Sequence, residues 1–170
     1  MSRPKDIDSS ILNILRKIRL IAFDVDGVLT DGRLYYGAHG ECMKVFHAKD
    51  GYSIKLALTY GYHMAIITGR KSVFVEKRAD DWGIKHVFQG IHDKQPVFEA
   101  LCKELNIGYE QTAYMGDDVL DMPVLKLVGF ATCPKDAMPV VKKSCHWISK
   151  YKGGLGAARE LCDLILSARK

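Results

Sequence analysis

The chain has 170 residues, 48% of them hydrophobic, with a formal net charge of +5, enough apolar material to bury a core without staples, so one domain over 1–170 is expected. Five cysteines, odd in number and without a Cys-x-x-Cys pair, argue against a disulfide framework and a zinc site and fit a reducing cytoplasm. No apolar stretch approaches the ~18 to 20 residues of a membrane span, no secretion signal or anchor is read, and the dispersed basic residues lack a nucleic-acid recognition motif, so neither membrane nor nucleic acid is an expected partner.

In chain order, Asp8 or Ser9 caps a first helix over 9–19, with Ile11, Leu12, Ile14, Leu15 and Ile18 as its apolar stripe. The apolar run 20–23 reads as a buried strand. Residues 33–36 and 42–46 flank Gly37-Ala38-His39-Gly40 and predict a β-hairpin insert over 33–46. A helix over 52–60, a strand over 63–67, a helix over 72–82 and a strand at 87–89 follow. Next come a helix over 94–105, a strand over 112–115, and a short helix over 119–127 with Pro123 near its start. Two short strands at 130–132 and 146–148 precede a glycine-containing tail over 153–170. Alternating strands and helices predict an α/β fold, a three-layer doubly wound and mostly parallel sheet.

The chemistry concentrates where apolar runs open into polar residues. Strand 20–23 releases Asp24 and Asp26; 63–67 releases Thr68, Gly69 and Arg70; 87–89 leads to Lys94; 112–115 leads to Asp117, Asp118 and Asp121. In a parallel sheet these strand ends lie along one edge, where ligands bind. Unpaired buried carboxylates cost several kcal/mol, roughly 2 to 7 or more, so two carboxylate clusters call for a cation. Carboxylate oxygens suit Mg²⁺, usually with waters and a substrate phosphate. Asp24 is then the candidate nucleophile, Asp26 the general acid and base, Thr68 a phosphoryl hydrogen-bond donor, and Lys94 the balancing cation. Asp118 and Asp121 sit near a helix start, where the dipole favours carboxylates, in supporting roles. Arg70 and Arg78 are candidates for a substrate carboxylate or simply surface residues, and no histidine shows metal-ligand spacing.

These four motifs, in this order, resemble the haloacid dehalogenase-like phosphohydrolase superfamily, which implies a Rossmann-like fold and, with a hairpin this small, no cap domain. Asp24 to Tyr36, Lys49-Asp50-Gly51-Tyr52, Ile66 to Ser72, Gly116 to Asp121 and Gly153 to Ala157 resemble more closely the 3-deoxy-D-manno-octulosonate 8-phosphate phosphatase family. The resemblance implies a phosphorylated sugar acid as substrate, a place in lipopolysaccharide precursor synthesis, and a homotetramer. It implies metal ligation by the side chains of Asp24 and Asp117 and the backbone carbonyl of Asp26. It also implies substrate contacts from Gly69, Arg70, Arg78, Lys49 and Arg159, with the segment from Gly153 leading into a C-terminal helix and reaching an adjacent subunit's site. Many members have arginine where this chain has Lys49, a point charge that cannot reproduce arginine's bidentate fork.

Three other readings compete with this one. A signalling receiver domain shares aspartates, a threonine and a lysine, but in a different order. A non-catalytic phosphatase-like oligomerisation module is opposed by the intact polar set. A nine-carbon sugar acid 9-phosphate is the alternative substrate. Gly153-Gly154-Leu155-Gly156 is no dinucleotide motif, because Arg159 stands where the template needs glycine.

Overall fold

A computed structural model describes residues 8–169; residues 1–7 and Lys170 of the expected domain lie outside the described residues. Six parallel strands make the main sheet: β1 (Leu20–Phe23), β4 (His63–Thr68), β5 (His86–Gln89), β6 (Thr112–Met115), β7 (Phe130–Cys133) and β8 (Trp147–Ile148), in spatial order β5-β4-β1-β6-β7-β8. From β1 the chain winds outward through β4 and β5, then returns to β6 on the other side. This reversal at β1 is the switch point at which open α/β sheets bind ligands. β1, β6 and β7 are buried at every residue, as expected for strands covered on both faces.

Helices α2 (Ala48–Thr59), α3 (Val73–Trp82) and α7 (Ala157–Ser167), together with α1 (Ser9–Leu15), pack on one face around Phe23, Ile54, Met64, Leu161 and Ile165. The other face holds α4 (Lys94–Leu105), α5 (Met122–Leu125) and α6 (Pro139–Lys142) around Phe98, Leu101, Tyr114 and Leu125. Among the described residues, the hairpin of β2 (Tyr35–Gly37) and β3 (Gly40–Met43) is the one regular element between β1 and α2. No described helix is long and apolar enough to cross a membrane.

Several expected boundaries move, and for α1 and α2 the reason is tertiary. α1 starts at the Asp8 cap, whose side chain accepts from the Ser10 N–H at 3.1 Å, but it stops at Leu15 and not at 19. Arg19 must be extended there, because its N–H is donated to Gln111 at 2.7 Å and its carbonyl accepts from His63. α2 begins four residues earlier than expected, and Gly51 in its first turn lets the Trp82 indole of α3 pack directly on the backbone. The hairpin turn is Ala38-His39, with Gly37 and Gly40 paired as strand residues. The 119–127 helix is a 3₁₀ turn followed by α5, and α6 was not anticipated.

Within the tail 153–170, residues 157–167 form α7, the C-terminal helix that the resemblance implies, with eight buried residues packed on the chain's own α2. Asp50 of α2, fully buried, accepts from the Arg159 N–H at 2.7 Å and so satisfies a free amide at the start of α7.

Candidate active site

Register places Phe23 beside Ile66 of β4 and Met115 of β6, so Asp24 emerges between Thr68 and the 116–121 turn. Its N–H is donated to the Met115 carbonyl at 3.0 Å. Lys94, the first residue of α4 and 1% exposed, reaches across with its ammonium 3.0 Å from Asp24 Oδ1 and 2.7 Å from Asp121 Oδ1. A buried ammonium needs such partners. Burial pulls the Lys94 pKa down, but the charges of Asp24 and Asp121 and their hydrogen bonds outweigh that, leaving it raised.

Asp121 is the anchor of this cluster. Its Oδ1 accepts the Tyr114 hydroxyl at 2.7 Å as well as Lys94, and its Oδ2 accepts the N–H groups of Asp117 and Asp118 at 2.9 and 3.2 Å. Both oxygens are taken, and the effect is to fix the loop that presents Asp117. Asp118 is exposed and caps the 3₁₀ turn through the Val119 N–H at 2.7 Å.

Two glycines bring the pieces together. Gly27 has φ +83°, and a Cβ there would collide with the Asp117 carboxylate. Gly153 lies so close that a Cβ would strike the Gly27 carbonyl, while the Gly154 N–H is donated to Val28 at 2.9 Å. The segment entering α7 thus clamps the loop after β1.

On the far side of Asp26 lies a second polar set. Lys44, immediately after β3, pairs its Nζ with Asp26 Oδ1 and lies 3.2 Å from Glu41 Oε1. Glu41 Oε2 accepts the Ser72 hydroxyl at 2.5 Å, at the cap of α3. The Arg70 Nε is 3.7 Å from Asp26 Oδ2, and its guanidinium lies 5.6 Å over the Tyr36 ring of the hairpin.

Of the residues singled out from sequence, Asp24, Asp26, Thr68, Gly69, Arg70, Lys94, Asp117, Asp118 and Asp121 stand at this edge. Arg78 is on α3, with its guanidinium 4.8 Å over Trp82 and 3.6 Å from Asp81. Lys49 is exposed in the first turn of α2. Arg159 is on α7, held by Asp163 at 2.6 Å and stacked 5.3 Å over Tyr52. Sequence reasoning missed Tyr114 and Lys44. A phenol in a fully buried central strand must find a partner, which was a usable signal for Tyr114, whereas Lys44 carries none in its own stretch of sequence, because its partner Asp26 meets it only in the folded hairpin.

Residues 82–161 match the model for haloacid dehalogenase-like hydrolase. Over 163 residues the chain is 42% identical to the 3-deoxy-D-manno-octulosonate 8-phosphate phosphatase KdsC of Yersinia pestis, covering 96% of this chain and 87% of that one. The chain belongs to the 3-deoxy-D-manno-octulosonate 8-phosphate phosphatase family. Among solved structures of the family, the Yersinia pestis protein overlays with a TM-score of 0.94 at 42% identity, over 96% of this chain and 88% of that one. The Moraxella catarrhalis phosphatase, crystallised with magnesium ion, phosphate ion and a KDO molecule, gives 0.93 at 36% identity over 96% and 94%. A cobalt-bound form from Haemophilus influenzae gives 0.90 at 40% identity over 92% and 91%.

Metals therefore occur in the family, and the residues here fit a divalent cation. Asp24, Asp117 and Asp121 each present an oxygen within 4.8 Å of the others. Three carboxylates facing one ammonium leave two negative charges in excess. Burial first, then the Asp121 charge, raises Asp24 to about 6 despite Lys94; burial and then Asp24, Asp121 and Asp118 raise Asp117 to about 8. Asp24 Oδ1, though close to Lys94, has no well-aligned hydrogen bond. With Asp121 saturated, Asp24 and Asp117 are the carboxylates open to the ion.

Proposed function

We propose that this chain is an Mg²⁺-dependent phosphomonoesterase that converts 3-deoxy-D-manno-octulosonate 8-phosphate to the free sugar acid and phosphate, a cytoplasmic step of lipopolysaccharide precursor synthesis. The observation that carries this is the buried Asp24–Lys94–Asp121 set beside Asp117, in a chain 42% identical to the Yersinia pestis KdsC over 96% of its length.

Asp24 attacks phosphorus and becomes an aspartyl phosphate. Asp26 gives a proton to the departing alkoxide and later takes one from the water that hydrolyses the acyl phosphate. Lys94 keeps Asp24 ionised and balances the growing charge on the phosphoryl oxygens, to which Thr68 donates its hydroxyl proton. Mg²⁺, held by Asp24, Asp117 and the Asp26 carbonyl, supplies electrostatic stabilisation of the phosphoryl group. Arg70, which lies beside Asp26, is the first candidate to meet the substrate's carboxylate, with Gly69, Arg78, Lys49 and Arg159 as the remaining candidate contacts. A homotetramer built through the hairpin fits the exposure of Leu34, Tyr36, Met43 and Val45.

The test is a side-by-side measurement of phosphate release from the eight-carbon and nine-carbon acid phosphates, with Mg²⁺ and after chelation. Preference for the eight-carbon ester and dependence on metal are expected. Preference for the nine-carbon ester would reassign the substrate, and full activity after verified metal removal would overturn the metal reading.

A further inference from the structure

We propose that Lys44 is a positioning residue for Asp26, and that through it the docked hairpin sets the leaving-group chemistry of the site. This rests on the reading of Asp26 as the acid that protonates the departing alkoxide. Much of the hairpin is exposed: Leu34, Tyr36, Met43 and Val45 are open to solvent, while the Lys44 side chain is 2% exposed. An ammonium is not covered without a reason, since its desolvation costs several kcal/mol unless carboxylates compensate. Here two do. Asp26 Oδ1 pairs with Nζ directly, and Glu41 Oε1 is 3.2 Å away.

The arrangement does more than pin the hairpin. Glu41 is itself fixed by the Ser72 hydroxyl at the start of α3, so the ammonium is held from behind by an anchored group and addresses Asp26 from one direction. Arg70 approaches the opposite oxygen, Oδ2, at 3.7 Å. The Asp26 carboxylate therefore lies between two cations, and its orientation is set by the hairpin through the direct Lys44 pair, while Arg70 adds charge on the other side without a hydrogen bond. A general acid misplaced by an ångström loses much of its effect, so holding this orientation is worth a measurable share of the roughly 10²–10⁴-fold contribution of proton transfer.

A pin and a positioner differ in which substrates they affect. kcat/KM counts steps through transfer of the phosphoryl group to Asp24. An alkyl leaving group needs a proton in that step, whereas 4-nitrophenolate does not. The experiment measures kcat/KM of Lys44→Met and Lys44→Gln on an unsubstituted alkyl phosphate, on 4-nitrophenyl phosphate and on the sugar acid phosphate, with Asp26→Asn and Glu41→Gln alongside and thermal melting as the fold control. We expect both Lys44 variants to lose at least about tenfold more on the alkyl ester than on the aryl ester, in the same sense as Asp26→Asn, and Glu41→Gln, which loosens the ammonium without removing it, to shift that ratio in the same direction by less.

Equal losses on all three esters would make Lys44 a structural pin, and a loss confined to the sugar acid would make it a substrate contact; either overturns the proposal. If Asp26→Asn itself shows no leaving-group dependence, the reading of Asp26 fails; if it does and the Lys44 variants do not, the positioning role alone fails. Should Lys44→Met not fold, Lys44→Gln, which keeps a polar side chain of comparable reach, carries the comparison.

Discussion

Asp121 shows how one buried carboxylate sets the character of its neighbours. Having spent both oxygens on Tyr114, Lys94 and two amides, it contributes charge and rigidity and leaves the open coordination positions to Asp24 and Asp117. Tyr114→Phe removes a hydrogen bond to a buried charged group, and denaturant unfolding should register a loss of about 1.5 to 3 kcal/mol. Asp24→Asn keeps the volume and removes the nucleophile; steady-state phosphate release should drop at least about a thousandfold, and activity within about tenfold of the unmodified protein would exclude the role. The raised pKa values of Asp24, about 6, and Asp117, about 8, carry a sign of their own. On these two groups the folded, metal-free protein holds protons that the unfolded chain releases, so their contribution to stability is fully present below about pH 4 and is lost as the pH climbs towards about 8. Melting of chelator-treated protein should fall across this window, the fall should be smaller in Asp117→Asn, and Mg²⁺ should raise the melting temperature more at the alkaline end. A melting temperature that rises with pH there would contradict the burial of both carboxylates.

At the scale of elements, legibility followed burial. β1, β6 and β7 are apolar runs because helices cover both faces, and that pattern reads directly from sequence. The ends of helices did not read as well. α2 begins early because Asp50 serves the amides of a helix more than a hundred residues away and Gly51 yields to Trp82, and neither demand is local. The site divides in the same way. Asp24, Thr68, Lys94 and Asp117 sit at strand or helix ends, where periodicity changes, while Lys44 acquires its meaning only when the hairpin folds back on Asp26. The entry to α7 offers a direct test of element coupling. Gly153→Ala places a methyl group against the Gly27 carbonyl, and we expect a destabilisation of about 1 to 3 kcal/mol by chemical denaturation together with reduced turnover. A variant as stable and active as its parent would show that this contact relaxes freely.

For the whole molecule, the proposed tetramer turns on the hairpin. Leu34→Glu with Met43→Glu introduces charge on an exposed apolar surface, and sedimentation should shift from tetramer towards smaller species, with lower activity on the sugar acid phosphate. An unchanged sedimentation coefficient would move the interface elsewhere. The clamp of Gly153 and Gly154 on the loop after β1 bears on biosynthesis. β1 and the loop after it are synthesised more than a hundred residues ahead of α7, yet the carbonyl of Val28 and the buried carboxylate of Asp50 find their partners only in residues 154 and 159. A nascent or prematurely terminated chain lacking those residues would expose the apolar face of α2 and hold its catalytic loop slack, so it would be recognised by chaperones and proteases before it could turn over substrate. Order in the loop that carries Asp24 is thereby tied to the synthesis of a segment more than a hundred residues further along the chain.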